Sequence, residues 1–105
     1  MDLAQSTLVE NAQEVASILK VLSNHNRLLI LCCITEGELT VGDLNSKIDL
    51  SQSALSQHLA KLRESDIVVT RRSSQTIYYR IKNPKIVMLL KVLQENFCPE
   101  VSALS

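Results

Sequence analysis

The hydrophobic positions of this chain change rhythm several times, and each change marks an element. Between residues 6 and 23, Leu8, Ala12, Val15, Leu19 and Leu22 recur at alternating steps of four and three. That is the spacing of an amphipathic helix with a narrow apolar seam. Val9, Ile18 and Val21 widen the apolar surface beyond one stripe. This helix is therefore either an ordinary buried helix or one that also meets a second partner, a homodimer contact. Asn24 or Asn26 can cap the next helix, Arg27 to about Thr35, where Leu28 through Ile34 are apolar without a break. A helix apolar almost all round belongs at the centre of a core. Gly37 ends it.

The stretch that follows is organised in pairs of caps and stripes. Thr40 with Asp43 three residues on fits an acidic variant of the capping box. Val41, Leu44 and Ile48 then supply the buried side of a short helix. Asp49-Leu50-Ser51 turns tightly into a second helix, for which Ser51 is a good N-cap. Leu55, Leu59 and Leu62 recur at i, i+4 and i+7 and share one face. The opposite face holds Ser53, Ser56, Gln57, Ala60 and Lys61, with no acid before Glu64. Two capped helices joined by a tight turn, the second with a polar outer face, make a helix-turn-helix over about residues 40–64.

After Arg63 the period drops to two. Ile67-Val68-Val69-Thr70-Arg71-Arg72 and Thr76-Ile77-Tyr78-Tyr79-Arg80-Ile81 are β-branched and aromatic, separated by the polar Ser73-Ser74-Gln75. They predict a hairpin, a wing over about residues 67–82. Asn83 as N-cap and Pro84 in the first turn start a last helix. It runs through Ile86, Leu89, Leu90, Leu93 and Phe97, with Val87, Met88 and Val92 covering further faces, and Pro99 stops it. The order is α-α-α-α-β-β-α. The predicted fold is mainly α with a small β-hairpin, a single winged helix-turn-helix domain over residues 1–105.

Composition sharpens this picture in two ways. Tyr78, Tyr79 and Phe97 are the only aromatic residues, so the core is aliphatic, which suits helix packing. There is no apolar run of about 18 residues to span a membrane. The opening MDLAQSTLVENAQ lacks the basic start and apolar run of a signal peptide. The cytoplasm is the expected compartment, and Cys32, Cys33 and Cys98 are expected there as thiols.

The formal charge of zero hides an asymmetry. Residues 1–50 carry three cations against seven acids, whereas residues 51–85 carry seven cations against two acids. A polyanion would meet one side of this protein only. On that side the small polar residues of the second helix let it approach a groove closely, and a glutamine can bond an adenine edge bidentately. The candidate DNA-reading residues are Gln52, Ser53, Ser56, Gln57 and Lys61. Arg71, Arg72, Ser74 and Gln75 of the wing would hold phosphates or reach an adjacent minor groove. His58 falls on the flank of the leucine stripe and is expected to be packed. The expected partner is double-stranded DNA, and a winged helix used for protein–protein contact is the alternative. With no Gly-rich phosphate loop and no nucleophile–base pair, enzyme activity is not expected, nor is a cofactor. His25 and His58 show no ligand spacing with the cysteines, so no metal site is expected.

The element order and the run SQSALSQHLAKLRESDIV resemble the ArsR/SmtB superfamily of small dimeric bacterial repressors, over nearly the whole chain. RLLILC at Arg27–Cys32 and NFCP at Asn96–Pro99 resemble its thiol-based branch, which includes BigR, SqrR, YgaV and HlyU. The resemblance implies that the first and last helices dimerise and that the protein binds an inverted-repeat operator as a repressor. It also implies a dithiol switch, with Cys32 and Cys98 at the matching positions, that releases the operator when persulfide or another oxidant links them. Cys32 and Cys33 point about 100° apart in a helix. Geometry does not choose between them; the resemblance favours Cys32. Both Cys32 and Cys98 fall toward helix C-termini, where the dipole disfavours a thiolate, so a cation such as Arg27 or Lys91 would have to compensate. Metal-sensing relatives carry cysteines in the segment matching Glu38–Leu44, where this chain has Thr40 and Gly42. Others bind zinc through Asp and His on the last helix, where residues 83–98 have neither. The likeness to HlyU also implies an alternative, an anti-silencing regulator whose thiols are incidental.

Overall fold

A computed structural model describes the fold of residues 3–97, with side chains from Val9 to Phe97. Leu8 of the predicted seam and Cys98 of the predicted thiol pair lie outside the described side chains. The elements are α1 (Leu3–Leu22), α2 (His25–Ile34), β1 (Leu39–Thr40), α3 (Val41–Lys47), α4 (Gln52–Glu64), β2 (Val68–Ser73), β3 (Thr76–Ile81) and α5 (Pro84–Phe97).

Caps explain where the helices begin. Asn24 Oδ1 accepts from the backbone N–H groups of Asn26 and Arg27, both at 3.0 Å, so α2 starts at His25 and not at Arg27. Thr40 and Asp43 close the capping box in both directions: the Asp43 N–H donates to Thr40 Oγ1 at 3.1 Å and the Thr40 N–H to Asp43 Oδ2 at 3.0 Å. Ser51 Oγ accepts from the Ala54 N–H at 3.1 Å at the head of α4. Asn83 Oδ1 takes the Lys85 N–H at 2.9 Å at the head of α5.

The leucine stripe of α4 is fully enclosed, with Leu55, Leu59 and Leu62 at 0–1% exposure. It shares one core with Ile30, Leu31 and Ile34 of α2, Leu44 of α3 and Leu90 of α5. The hairpin pairs from Val68↔Ile81 to Ser73↔Thr76 around a two-residue turn, Ser74-Gln75, in which Ser74 takes the left-handed φ of 59°. A third strand joins it. Leu39 and Thr40 pair antiparallel with Tyr79 and Tyr78, giving the sheet order β1-β3-β2. Two residues are too few to show a period, which is why the sequence predicts only the hairpin. Val68, Ile81, Leu39 and Tyr79 face the core, and the alternating residues Arg71, Tyr78 and Arg80 lie on the outward face.

The expected all-round burial of α2 is corrected. Only one side of α2 is covered: Leu29 is 42% exposed and Cys32 and Cys33 are half-buried. On α1, Ile18, Val21 and Leu22 meet the core, while Val15 and Leu19 of the predicted seam stay about half exposed. A chain this short has too few elements to wrap every apolar helix face. On α5, Ile86 and Leu90 are buried, whereas Met88, Val92 and Phe97 are 53–79% exposed. Among the described residues no helix is long and apolar enough to cross a membrane.

Leu55→Ala should cost about 2–5 kcal/mol through the cavity it leaves. Ser56→Ala, one residue on but on the exposed face, should stay within about 0.5 kcal/mol. Urea unfolding midpoints measured with unchanged slope check both.

Candidate nucleic-acid interface

Burying the leucine stripe fixes the azimuth of α4, and the rest follows from 100° per residue. Ser53, Ser56, Gln57 and Lys61 are exposed on the far side, Gln52 is exposed in the first turn at one flank of the stripe, and His58 is half-buried at the other flank. The face has no acid in its first turn and ends on Lys61 and Arg63, so the helix carries cations where its dipole is negative. The wing presents Arg71, Arg72, Ser74 and Gln75, all exposed. Arg72 Nε donates back to the Ser74 carbonyl at 3.2 Å, holding that side chain along the hairpin tip.

Not every cation on this side is free. Lys82 Nζ meets Asp66 Oδ2 at 2.7 Å at the base of the wing. Arg71 is held more closely. Its Nε lies 3.1 Å from both oxygens of Glu38, its Nη2 donates to Glu38 Oε1 at 2.6 Å, and its guanidinium carbon sits 4.4 Å from the centre of the Tyr78 ring. Bonding to Arg71 holds the Glu38 carboxyl below the usual carboxylate range, and the fields of Arg71 and Arg80 add to it. Sequence reasoning misses Glu38 and Tyr78. Glu38 comes from the acidic half of the chain, and only the pairing of β1 with β3 brings it beside the wing.

The two described thiols lie in the last turn of α2. Cys32 and Cys33 are both free and half-buried at the end of α2. Burial pushes the Cys33 thiol up, with Lys47 opposing that shift and Cys32 adding to it. The Cys32 carbonyl accepts from Thr35 Oγ1 at 2.9 Å and from Gln94 Nε2 at 3.2 Å. The second bond ties α5 to the thiol-bearing turn of α2. The two cations named as compensators have other partners: Arg27 Nε donates to the Val21 carbonyl at 2.8 Å, and Lys91 Nζ lies 3.7 Å from Glu36.

A short capped helix, a tight turn and a second helix whose outer face is polar and free of acids before Glu64, with an arginine-bearing hairpin beside it, define a winged helix-turn-helix DNA-binding regulator. The family model for bacterial regulatory proteins of the arsR family matches residues 24–70. The chain is 40% identical to the transcriptional activator HlyU of Vibrio cholerae over 85% of its length and 82% of that protein. It is 41% identical to the biofilm growth-associated repressor of Xylella fastidiosa, over 93% of its length and 86% of the relative. The solved structure of reduced HlyU from Vibrio cholerae superposes with a TM-score of 0.81 at 39% identity, covering 88% of this chain and 97% of that one. The protein belongs to the ArsR family and is a transcriptional regulator, not an enzyme.

With its thiol pushed up by burial, Cys33 should alkylate more slowly at pH 7 than a free model cysteine of pKa about 8.5. Its rate should still be climbing above pH 9. Iodoacetamide labelling followed by peptide mass spectrometry reads this directly.

Proposed function

We propose that the protein is a homodimeric repressor, acting in the cytoplasm, that reads an inverted-repeat operator and releases it when Cys32 and Cys98 are linked. Gln52, Ser53, Ser56, Gln57 and Lys61 enter the major groove. The wing that carries Arg71, Arg72, Ser74 and Gln75 faces the backbone and the adjacent minor groove. The dimer contact is drawn from Val15 and Leu19 of α1 and Met88 and Val92 of α5, apolar residues that one chain leaves uncovered.

The observation that carries the switch is the hydrogen bond from Gln94 to the Cys32 carbonyl. It ties the later turns of α5 to the turn that bears Cys32. Cys98 follows Gln94 by four residues in the sequence. A link between the two thiols then acts on a helix that also serves the dimer. Half-sites one helical turn apart need the two recognition helices about 34–36 Å apart, so a small rotation of α5 suffices to lose affinity. The chemistry balances with a persulfide as oxidant. Two thiols and one persulfide give the disulfide, one thiol and one hydrogen sulfide, and a longer polysulfide bridge retains further sulfur. The resemblance to reduced HlyU, a relative solved in a named redox state, supports the thiol reading.

The name of the Vibrio cholerae relative, an activator, favours a second reading. In it the protein displaces another DNA-binding protein and its thiols do not respond.

Gln57→Ala should relax preference at one base pair by about 1–3 kcal/mol, while Arg72→Ala weakens all sequences alike and lowers the salt slope by about 0.9. Fluorescence anisotropy across a salt series separates the two effects. Persulfide should lower wild-type operator affinity by about 5–150-fold and leave Cys98→Ser bound. Release of the Cys98→Ser protein, or no crosslinked peptide by mass spectrometry, overturns the switch and favours the anti-silencing reading.

A further inference from the structure

The least expected group on the DNA side is an acid. Glu38 lies in the connection between α2 and β1, within the half of the chain where acids outnumber cations, yet its carboxylate sits on the wing. It takes Arg71 side-on: Nε is 3.1 Å from both oxygens and Nη2 is 2.6 Å from Oε1. Tyr78, the direct cross-strand partner of Arg71, covers one face of the guanidinium at 4.4 Å. Edge and face are thus both engaged, and the side chain is only half exposed. What stays open is the Nη1 group and one N–H of Nη2.

A phosphate arriving at that open edge meets a neutral pair. The affinity that a cation gives a DNA-binding protein comes mainly from displacing counterions condensed on the phosphates, and each free cation adds about 0.9 to the salt slope. Glu38 is already the counterion of Arg71, so bringing the pair to DNA displaces little. Bonding to the arginine keeps the Glu38 carboxyl ionised through the neutral range. Arg80 stands on the same outward face, opposite Val69, and adds its field to the same carboxylate. This small group of two arginines and one acid therefore offers DNA one net charge. Arg72, on the other face of its strand, bonds only a carbonyl and keeps its charge.

We infer that Glu38 sets the wing's share of DNA affinity by neutralising Arg71, which makes Arg71 a strut between the wing and the α2–β1 connection and leaves the phosphate contact to Arg72. The inference deepens the proposed function and rests on its reading of the wing as DNA-facing. Its consequence is selectivity. Less sequence-independent attraction leaves a larger fraction of the binding to the α4 face, where the bases are read.

The test is a salt-slope cycle on the full-length protein with an operator duplex and a scrambled duplex. With Glu38 present, Arg71→Ala should change the slope by less than about 0.3. In a Glu38→Gln background the same substitution should lower it by about 0.9. Glu38→Gln alone should raise affinity for both duplexes, with a gain about three- to four-fold larger at 50 mM salt than at 200 mM, through a steeper attraction shared by operator and scrambled DNA. If Glu38→Gln weakens binding, or if Arg71→Ala already lowers the slope by about 0.9 with Glu38 in place, the inference is overturned. Arg72→Ala is the control, lowering the slope in either background. If it does not, the DNA-facing wing falls, and this inference with it. Thermal melting verifies that the exposed substitutions leave the fold intact. A second readout is the Arg71 Nε–H resonance, which should stay in place when DNA is added to wild type and move in Glu38→Gln; the reverse pattern also overturns it.

Discussion

Three leucines hold the rest of this molecule in relation to its output. Leu55, Leu59 and Leu62 are sealed against α2 and α3. Because side chains on a helix are locked at 100° intervals, sealing one stripe dictates what the opposite stripe presents. The polar outer face of α4 is thus not positioned by contacts of its own. It consists of short polar side chains with no partners to satisfy, held out by an aliphatic core on the other side. The caps at Thr40 and Ser51 set the start of each helix of the pair to the residue, and so fix which side chains fall on that stripe.

The same shortage of covering elements shapes the other end of the protein. One aliphatic core of this size encloses the leucine stripe of α4 completely but leaves apolar residues of α1, α2 and α5 open on their outer sides. Apolar residues at helical spacing are thereby exposed on the two helices that frame the chain, while α5 also reaches the thiol-bearing turn of α2 through Gln94. Coupling between a thiol site and a DNA site needs a shared element with two arrangements. Here α5 is the element that touches both the α2 turn and the uncovered face. The proposed switch would need only a small coupling free energy, on the order of 1–3 kcal/mol.

The wing shows how local charge and useful charge differ. Counting residues gives a strongly basic second half, but Asp66 and Glu38 each hold a cation of that half. Exposed pairs of this kind contribute little to stability. Their larger effect is on what a polyanion encounters. A winged helix that reads sequence benefits from moderation in its backbone contacts, since attraction to every phosphate raises competing binding as much as specific binding.

Most of the architecture was written in periodicity. The stripes of α1 to α5, the caps at Thr40, Ser51 and Asn83, and the switch to a two-residue period in the wing each rest on local rules, and local rules are legible in one chain. So was the polar face of α4, because a missing acid is as visible in sequence as a present base. What sequence could not supply was long-range. β1 has two residues and becomes a strand only because β3 offers it an edge, so nothing in Leu39–Thr40 announces it. Glu38 and Arg71 are 33 positions apart, and Gln94 and Cys32 are 62 apart. Those meetings depend on how the elements pack, which is decided by the whole core at once. The chain's own pattern determined that it would carry a recognition helix and a wing. Only the tertiary structure decided which of the wing's charges are paired with an acid.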